Sequence, residues 1–281
     1  MDDAARGSAR TGWLTDGHVH LHDCFPLETV LAAAAANLER AARHVGAGPG
    51  SPGCLCLAES ARERGFERVR AVMAGGWAAR ATDEDASLLV TRHGAVVMAV
   101  LAGMQVVTRE RLEVLVLGST DRLPDGEPIE QTLERAHATD GAVVLPWGFG
   151  KWLFGRGRTA RRLLASSSGR LLAGDNGNRP ALFPAPALLR QARLRGVPVL
   201  PGSDPLPLPS HAGRAGSSGA FIECNPDPGR PARQVVRLLG AAGTRLEHFG
   251  EPEPFVRFAS SQAALRLRRG DGARHPSGMA S

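Results

Sequence analysis

Trp13-Leu14-Thr15-Asp16-Gly17-His18-Val19-His20-Leu21-His22 reads as a short strand that opens on apolar residues and closes on metal-binding ones. Side chains on a strand alternate between its two faces. Asp16, His18, His20 and His22 share one parity, so an unbroken strand aims all four into one volume. Imidazoles and a carboxylate converging in this way suit a divalent transition metal. A polar strand edge with no ligand is the plainer reading. The His-x-His pair directly after an apolar strand start favours the metal.

Working outward, residues 1–12 read as a loose leader. Phe25 to Val45 reads as a helix, with Leu27, Val30, Leu31, Ala34, Leu38 and Ala41 at helical spacing and Pro26 in its first turn. Gly46 to Gly53 is a Gly/Pro-rich break, and Cys54 to Ala58 is a buried strand that closes on Glu59. Residues 71–120 form a β-rich excursion containing at least one hairpin. Beyond it, strands at Ala142–Trp147, Arg170–Gly174, Val197–Leu200 and Gly219–Cys224 alternate with helices at Pro128–Ala138, Thr159–Ala165, Ala187–Arg195 and Ala232–Leu239. A last helix is expected at Ser260–Leu267, then a frayed tail at 268–281. Alternation of this kind predicts βαβ units and a parallel sheet. No Gly-x-Gly-x-x-Gly runs from a strand into a helix, so the pattern favours an α/β barrel of about seven strands over a dinucleotide fold.

A barrel places its chemistry at the C-terminal strand ends. His18 and His20 end the first strand and Glu59 the second. Trp147-Gly-Phe-Gly-Lys151 ends the strand at 142–147, and Asp175-Asn176-Gly-Asn178-Arg179 follows the one at 170–174. Asp204 ends the strand after Val197. Each has an ordinary alternative. Asp175, Asn176 and Asn178 are common turn formers, Glu59 can cap the next helix, and Asp204 can cap the segment after it. Lys151 is the only lysine among 34 basic residues. Arginine supplies neither a neutral amine nor a compact point charge, which marks Lys151 for a site role.

The composition narrows the classes further. The chain has 281 residues, net charge +6, 43% hydrophobic and 22% charged residues, enough for a sizeable soluble core. No apolar run is long enough to span a bilayer and no signal-type segment opens the chain, so the expected location is cytoplasmic. The arginines are not interleaved with stacking aromatics, and tyrosine is absent. That disfavours a nucleic-acid partner. Cys54 and Cys56 sit in an apolar run and read as small core residues.

In this order the pieces resemble the PHP (polymerase and histidinol phosphatase) superfamily over about residues 14–224. The opening Asp16-Gly-His18-Val-His20 is similar to that family's Asp-x-His-x-His. Gly103-Met-Gln105-Val-Val-Thr with Leu112-Glu-Val-Leu-Val-Leu-Gly118 resembles its central hairpin. Ala136-His137-Ala-Thr-Asp-Gly141-Ala-Val-Val-Leu-Pro146 resembles the passage before a His-Pro pair. Leu194-Arg-Gly196-Val-Pro-Val-Leu-Pro-Gly202-Ser203-Asp204 resembles its closing Gly-Ser-Asp-x-His. The resemblance implies a distorted (β/α)7 TIM-like barrel with a metal cluster at the strand ends. It carries over residue by residue to Asp16, His18, His20 and Asp204. Other ligand positions of the family hold Glu59-Ser60, Gln105, Leu115, Leu145 and Leu206 here, so one or two ions are expected, not three.

Two functions follow from the sequence. The first is a metal-dependent hydrolase acting on a small anionic substrate through Zn, Mn or Fe. Phosphoester cleavage is its expected chemistry, by resemblance, and amide cleavage is the runner-up. His18, His20, Asp204 and Asp16 hold the metal, Asp175 or Glu59 completes the shell or accepts a proton, and Lys151 meets developing negative charge. Asn176, Asn178 and Arg179 bind the substrate. The second is a catalytically degenerate relative that binds a small ligand or a partner. The two separate on whether His18, His20 and Asp204 reach one ion.

Overall fold

The computed structural model describes residues 10–148, 152, 154–166, 170–177, 186–251, 256–257, 259–261 and 263–264. β1 (Gly12–Val19) is buried along its whole length. It pairs antiparallel with β12 (Gly219–Glu223) on one side and parallel with β2 (Gly53–Leu57) on the other. α1 (Leu27–Val45) makes the crossover between β1 and β2. Its buried Val30, Leu31, Ala34, Leu38, Ala41 and Val45 form one stripe at helical spacing. Glu28 in the first turn and Arg43 and His44 in the last complement its dipole. Gly46 ends it at φ +66, a left-handed conformation that favours glycine.

Beyond β2 the sheet runs through β6 (Ala95–Leu101), β5 (Ser87–Arg92), β4 (Trp77–Ala81) and β3 (Met73–Ala74), and beyond β12 it ends on β13 (Glu247–Phe249). The eight-stranded order is β13-β12-β1-β2-β6-β5-β4-β3. A second, five-stranded sheet is built from β7 (Gly103–Val107), β8 (Glu113–Leu117), β9 (Ala142–Trp147), β10 (Leu171–Asn176) and β11 (Val199–Gly202), in the order β11-β10-β9-β8-β7. The β-rich excursion is therefore divided. Its first half extends one sheet, and its second half is the hairpin that starts the other.

Burial sorts the chain into layers. Leu14, Val19, Leu55, Leu57 and Phe221 pack outward against α1 and α2 (Gly65–Arg70). Val114, Val143, Leu171 and Val199 pack outward against α3 (Ile129–His137), α4 (Phe154–Ser166) and α5 (Ala187–Leu194). Between the sheets lie Trp13, Cys54, Cys56, Leu101, Leu115, Val144, Leu172, Leu200 and Ile222. α6 (Pro231–Gly240) adds Ala232, Val235 and Leu239 to this shared core. It sits where β1 begins, since Trp13 Nε1 donates to Gln234 Oε1 at 2.7 Å. Cys54 and Cys56 are fully buried core residues, as their apolar setting suggested. Among the described residues no helix is long and apolar enough to cross a membrane.

Among the described residues the expected (β/α)7 barrel is not formed. A closed barrel needs a ladder at every strand edge and a helix behind nearly every strand. Here the strands fall into two sheets. β3 to β8 follow one another without an intervening helix, β12 returns antiparallel beside β1, and β7–β8 is an antiparallel hairpin. The sheets touch along two seams. One is a single parallel bridge, Glu59 with Met104. The other is the crossing of β1 with β11, where the Asp204 N–H donates to the His18 carbonyl at 2.8 Å. Ahead of β1, Arg10 pairs with Glu223 and Glu247, both at 2.8 Å.

The second seam depends on Gly202. A Cβ there meets the His18 backbone nitrogen at 2.5 Å and its Cβ at 2.4 Å. Backbone cannot yield as a side chain can, so Gly202→Ala is expected to lower unfolding stability by about 3 kcal/mol, the upper range for overpacking. Urea unfolding measures this. A change below about 0.5 kcal/mol, the range of neutral surface substitutions, contradicts the tight crossing.

Candidate metal centre

The strand parity read from the sequence breaks inside the opening stretch. Asp16 lies opposite Leu55 on β2, but Val19 lies opposite Leu57. Three residues on β1 span two on β2, which is a β-bulge. One extra residue exchanges the faces of everything after it. Packing agrees, because Leu14 and Val19, of opposite parity, both lie in the outer core against α1. His18 and His20 consequently leave the face that Asp16 occupies and turn toward the end of the space between the sheets.

There they meet Asp204. His18 Nε2 and His20 Nε2 are 3.1 Å apart, and Asp204 Oδ1 lies 3.7 Å from the first and 3.8 Å from the second. A point equidistant from three atoms so spaced is about 2.1 Å from each, within the 2.0–2.2 Å of zinc bonds to His and carboxylate. The residues therefore fit a divalent ion, and His18, His20 and Asp204 are a group able to hold one. Both rings are buried. Asp204 has φ +41, an unusual backbone for a non-glycine residue. It is held there by its N–H bond to His18 and by Asn176, whose Nδ2 donates to Oδ2 at 2.6 Å. Asn176, at the end of β10, thus supports a candidate ligand directly.

Asp16 holds the frame. Its Oδ1 accepts the N–H groups of His18 at 3.2 Å and Ser203 at 2.9 Å, and its Oδ2 accepts that of Gly216 at 2.8 Å. One carboxylate thereby fixes the bulge and both ends of the segment that carries Asp204. Burial pushes its pKa up to about 7, against the donors from Ser203, Gly216 and His18 that favour the ionised form. Asn37 on α1 pins the same segment through the Gly213 and Ala215 carbonyls. Asp16 stands outside the donor group and acts through the backbone.

Glu63 stands behind His20. Its Oε2 lies 3.0 Å from His20 Nδ1 and accepts the Ser60 N–H at 2.7 Å, and its Oε1 lies 2.6 Å from His22 Nδ1. His22 stacks on His20 with ring centroids 5.2 Å apart and donates through Nε2 to the Pro205 carbonyl at 2.8 Å. Burial opposes the charge on Glu63, but the hydrogen bonds from His20 and His22 outweigh it and hold the carboxyl well below the usual range. Burial likewise lowers the His20 pKa, and Glu63 and Asp204 more than reverse this, so the net shift is upward. The sequence signal for Glu63 is the spacing Ser60-x-x-Glu63, in which a glutamate reaches back to the serine N–H.

The other expected site residues sort by face. Glu59 accepts the Phe66 N–H at 2.6 Å and pairs with Arg122, so it anchors the start of α2 and the chain after β8. Leu171 and Ala173 on β10 face the helices, and alternation puts Asp175 with them, away from Asn176. Lys151, Asn178 and Arg179 lie outside the described residues. A further buried histidine, His211, accepts the Leu206 N–H at Nδ1 and meets Ser261 Oγ at 2.9 Å through Nε2. Burial, then Arg214, lowers its pKa to about 4, so it ties Ser261 to this segment as a neutral ring.

No protein-family model matches the sequence, and no curated protein does. Among solved structures the chain is similar to PsfC from Pseudomonas syringae PB-5123, with a TM-score of 0.51 and 17% identity, over 92% of this chain and 100% of that one. At that identity the likeness concerns the fold alone.

Two outcomes follow from this geometry. Asp16→Ala orphans three buried N–H groups and is expected to destabilise the fold by about 3 kcal/mol or more in denaturant unfolding. Glu63 has a folded pKa below its unfolded value, so its stabilisation is complete above about pH 5 and is lost as pH falls through the folded pKa. Glu63→Gln is expected to flatten the acid limb of stability against pH. An unchanged limb in that variant excludes Glu63 as its source.

Proposed function

We propose that this chain is a metal-dependent hydrolase acting on a phosphoester in a small anionic substrate, with a divalent Zn, Mn or Fe ion at His18, His20 and Asp204. The observation that carries the reading is the spacing of the three donor atoms. Two neutral imidazoles and a carboxylate suit all three metals. A divalent ion held there supplies Lewis-acid chemistry, withdrawing charge from the oxygens of water and of a phosphoryl group.

The protein's own groups do the arranging. His18 and His20 offer Nε2, and their burial strengthens electrostatic interactions at the site. Asn176 engages Asp204 Oδ2, which leaves Oδ1 turned to the two rings. The phosphoester rests on the motif resemblance of Asp16-Gly-His18-Val-His20 and Gly202-Ser203-Asp204, and the net charge of +6 favours an anionic substrate. A second reading, a binding protein without catalysis, is favoured by Leu115. It occupies a ligand position of the resembling family and is buried in the apolar core between the sheets.

The test is metal analysis of the purified protein, followed by a panel of phosphomonoesters, phosphodiesters, esters and amides assayed with added Mn and Zn. The reading predicts one stoichiometric ion and phosphoester turnover, with both lost in His18→Ala. Absence of a bound ion, together with no effect of His18→Ala, overturns it. An intact ion without turnover selects the binding protein.

A further inference from the structure

Glu63 has no part in that reading, yet its carboxylate is buried and enclosed by two histidines. Its Oε2 is at hydrogen-bond distance from His20 Nδ1, while Nε2 on the other side of the same ring faces His18 Nε2 and Asp204 Oδ1. An imidazole that donates through Nδ1 keeps a lone pair on Nε2. Histidines that bind metals commonly give their other N–H to a carboxylate, which fixes the ring's orientation and raises its basicity.

Glu63 is itself held from three directions. The Ser60 N–H and His20 Nδ1 meet one oxygen, and His22 Nδ1 meets the other. His22 passes the restraint on, because its Nε2 donates to the carbonyl of Pro205, the residue after Asp204. A continuous set of contacts runs from His20 through Glu63 and His22 to the neighbour of Asp204. It joins the stretch leaving β1 to the segment leaving β11, and those two strands belong to different sheets.

We infer that Glu63 is a positioning residue that fixes His20 with Nε2 toward the ion, and that by engaging His20 Nδ1 and His22 Nδ1 it confines the centre to one ion. The inference rests on the metal reading above and goes beyond it in assigning ion number and the residue that sets it. His20, His22 and Glu63 also meet the spacing of a metal-holding group. His20 Nδ1 stands 3.0 Å from Glu63 Oε2, close to the 3.1 Å between the His18 and His20 Nε2 atoms, but His22 Nδ1 stands only 2.6 Å from Glu63 Oε1. Two ligands of a tetrahedral ion with bonds of about 2.1 Å stand about 3.4 Å apart. The donors at His18, His20 and Asp204, 3.1 to 3.8 Å apart, bracket that value, whereas the 2.6 Å contact of His22 with Glu63 is too short for two ligands of one ion and is a hydrogen bond.

Cobalt is the probe, because Co2+ in such a site absorbs visible light in a way that reports its ligands. Wild-type protein and the variants Glu63→Ala, Glu63→Gln and His22→Ala are titrated with Co2+ by calorimetry and visible absorption, with circular dichroism as the check on folding. Wild type is expected to take one Co2+ per chain. Glu63→Ala is expected to raise Kd about 10- to 100-fold and to alter the visible spectrum. Glu63→Gln keeps an oxygen acceptor and is expected to recover part of the affinity, with Kd about tenfold above wild type. If Glu63→Ala does not fold, the comparison of Glu63→Gln with wild type decides.

Wild-type Kd and spectrum in a folded Glu63 variant overturn the positioning role and leave the metal reading intact. Two Co2+ ions per wild-type chain overturn the single-ion assignment. A wild-type chain that takes up no Co2+ overturns the metal reading itself, and this inference with it.

Discussion

The carboxylate of Asp16 is the interaction on which the rest depends. It accepts N–H groups from His18, Ser203 and Gly216 while fully buried. The first of these bonds shapes the bulge in β1, and the other two fix the segment that leaves β11. Those two stretches bring His18, His20 and Asp204 together although no ladder joins β1 to β11. The arrangement explains how two open sheets form a defined site without closing into a barrel. The backbone crossing at Gly202, the bond from Asp204 N–H to the His18 carbonyl and the Asp16 carboxylate replace the missing ladder locally.

Much of the fold was legible as elements. The stripe from Val30 to Val45 specified α1, and the apolar runs at Cys54, Ala142 and Gly219 specified β2, β9 and β12 near their observed bounds. The closure was not legible. Alternating β and α segments are compatible with a closed ring or with open sheets. The decision lies in which strand edges pair, here in β12 returning antiparallel to β1. That pairing joins residues more than 200 positions apart, and no local pattern encodes it.

The candidate site was legible to the same depth, and what was not legible is the face on which each carboxylate stands. Strand-end position and motif order point to His18, His20 and Asp204, and the structure brings them together. Asp16 was grouped with them because an unbroken strand gives all even positions one face. A bulge inserts a residue without any composition signal, and here it turns His18 and His20 away from the outer face that Asp16 shares with Leu14. Glu59 anchors α2 and Arg122, and alternation sends Asp175 toward the helices. Carboxylates at strand ends look alike in sequence, and the face decides their work. Glu63 was missed because it follows its strand by several residues and reads as ordinary helix-start chemistry.

The candidate centre is built from two sheets and held by polar groups that stand outside the three candidate donors. Asp16 acts through backbone, Asn176 through Asp204, and Glu63 through His20 and His22. The most direct measurement is anomalous X-ray diffraction from a crystal soaked in Zn2+, recorded at the zinc edge. The account predicts one peak per chain, about 2.0–2.2 Å from His18 Nε2, His20 Nε2 and Asp204 Oδ1. A peak coordinated by Asp16, or no peak among those three atoms, contradicts it.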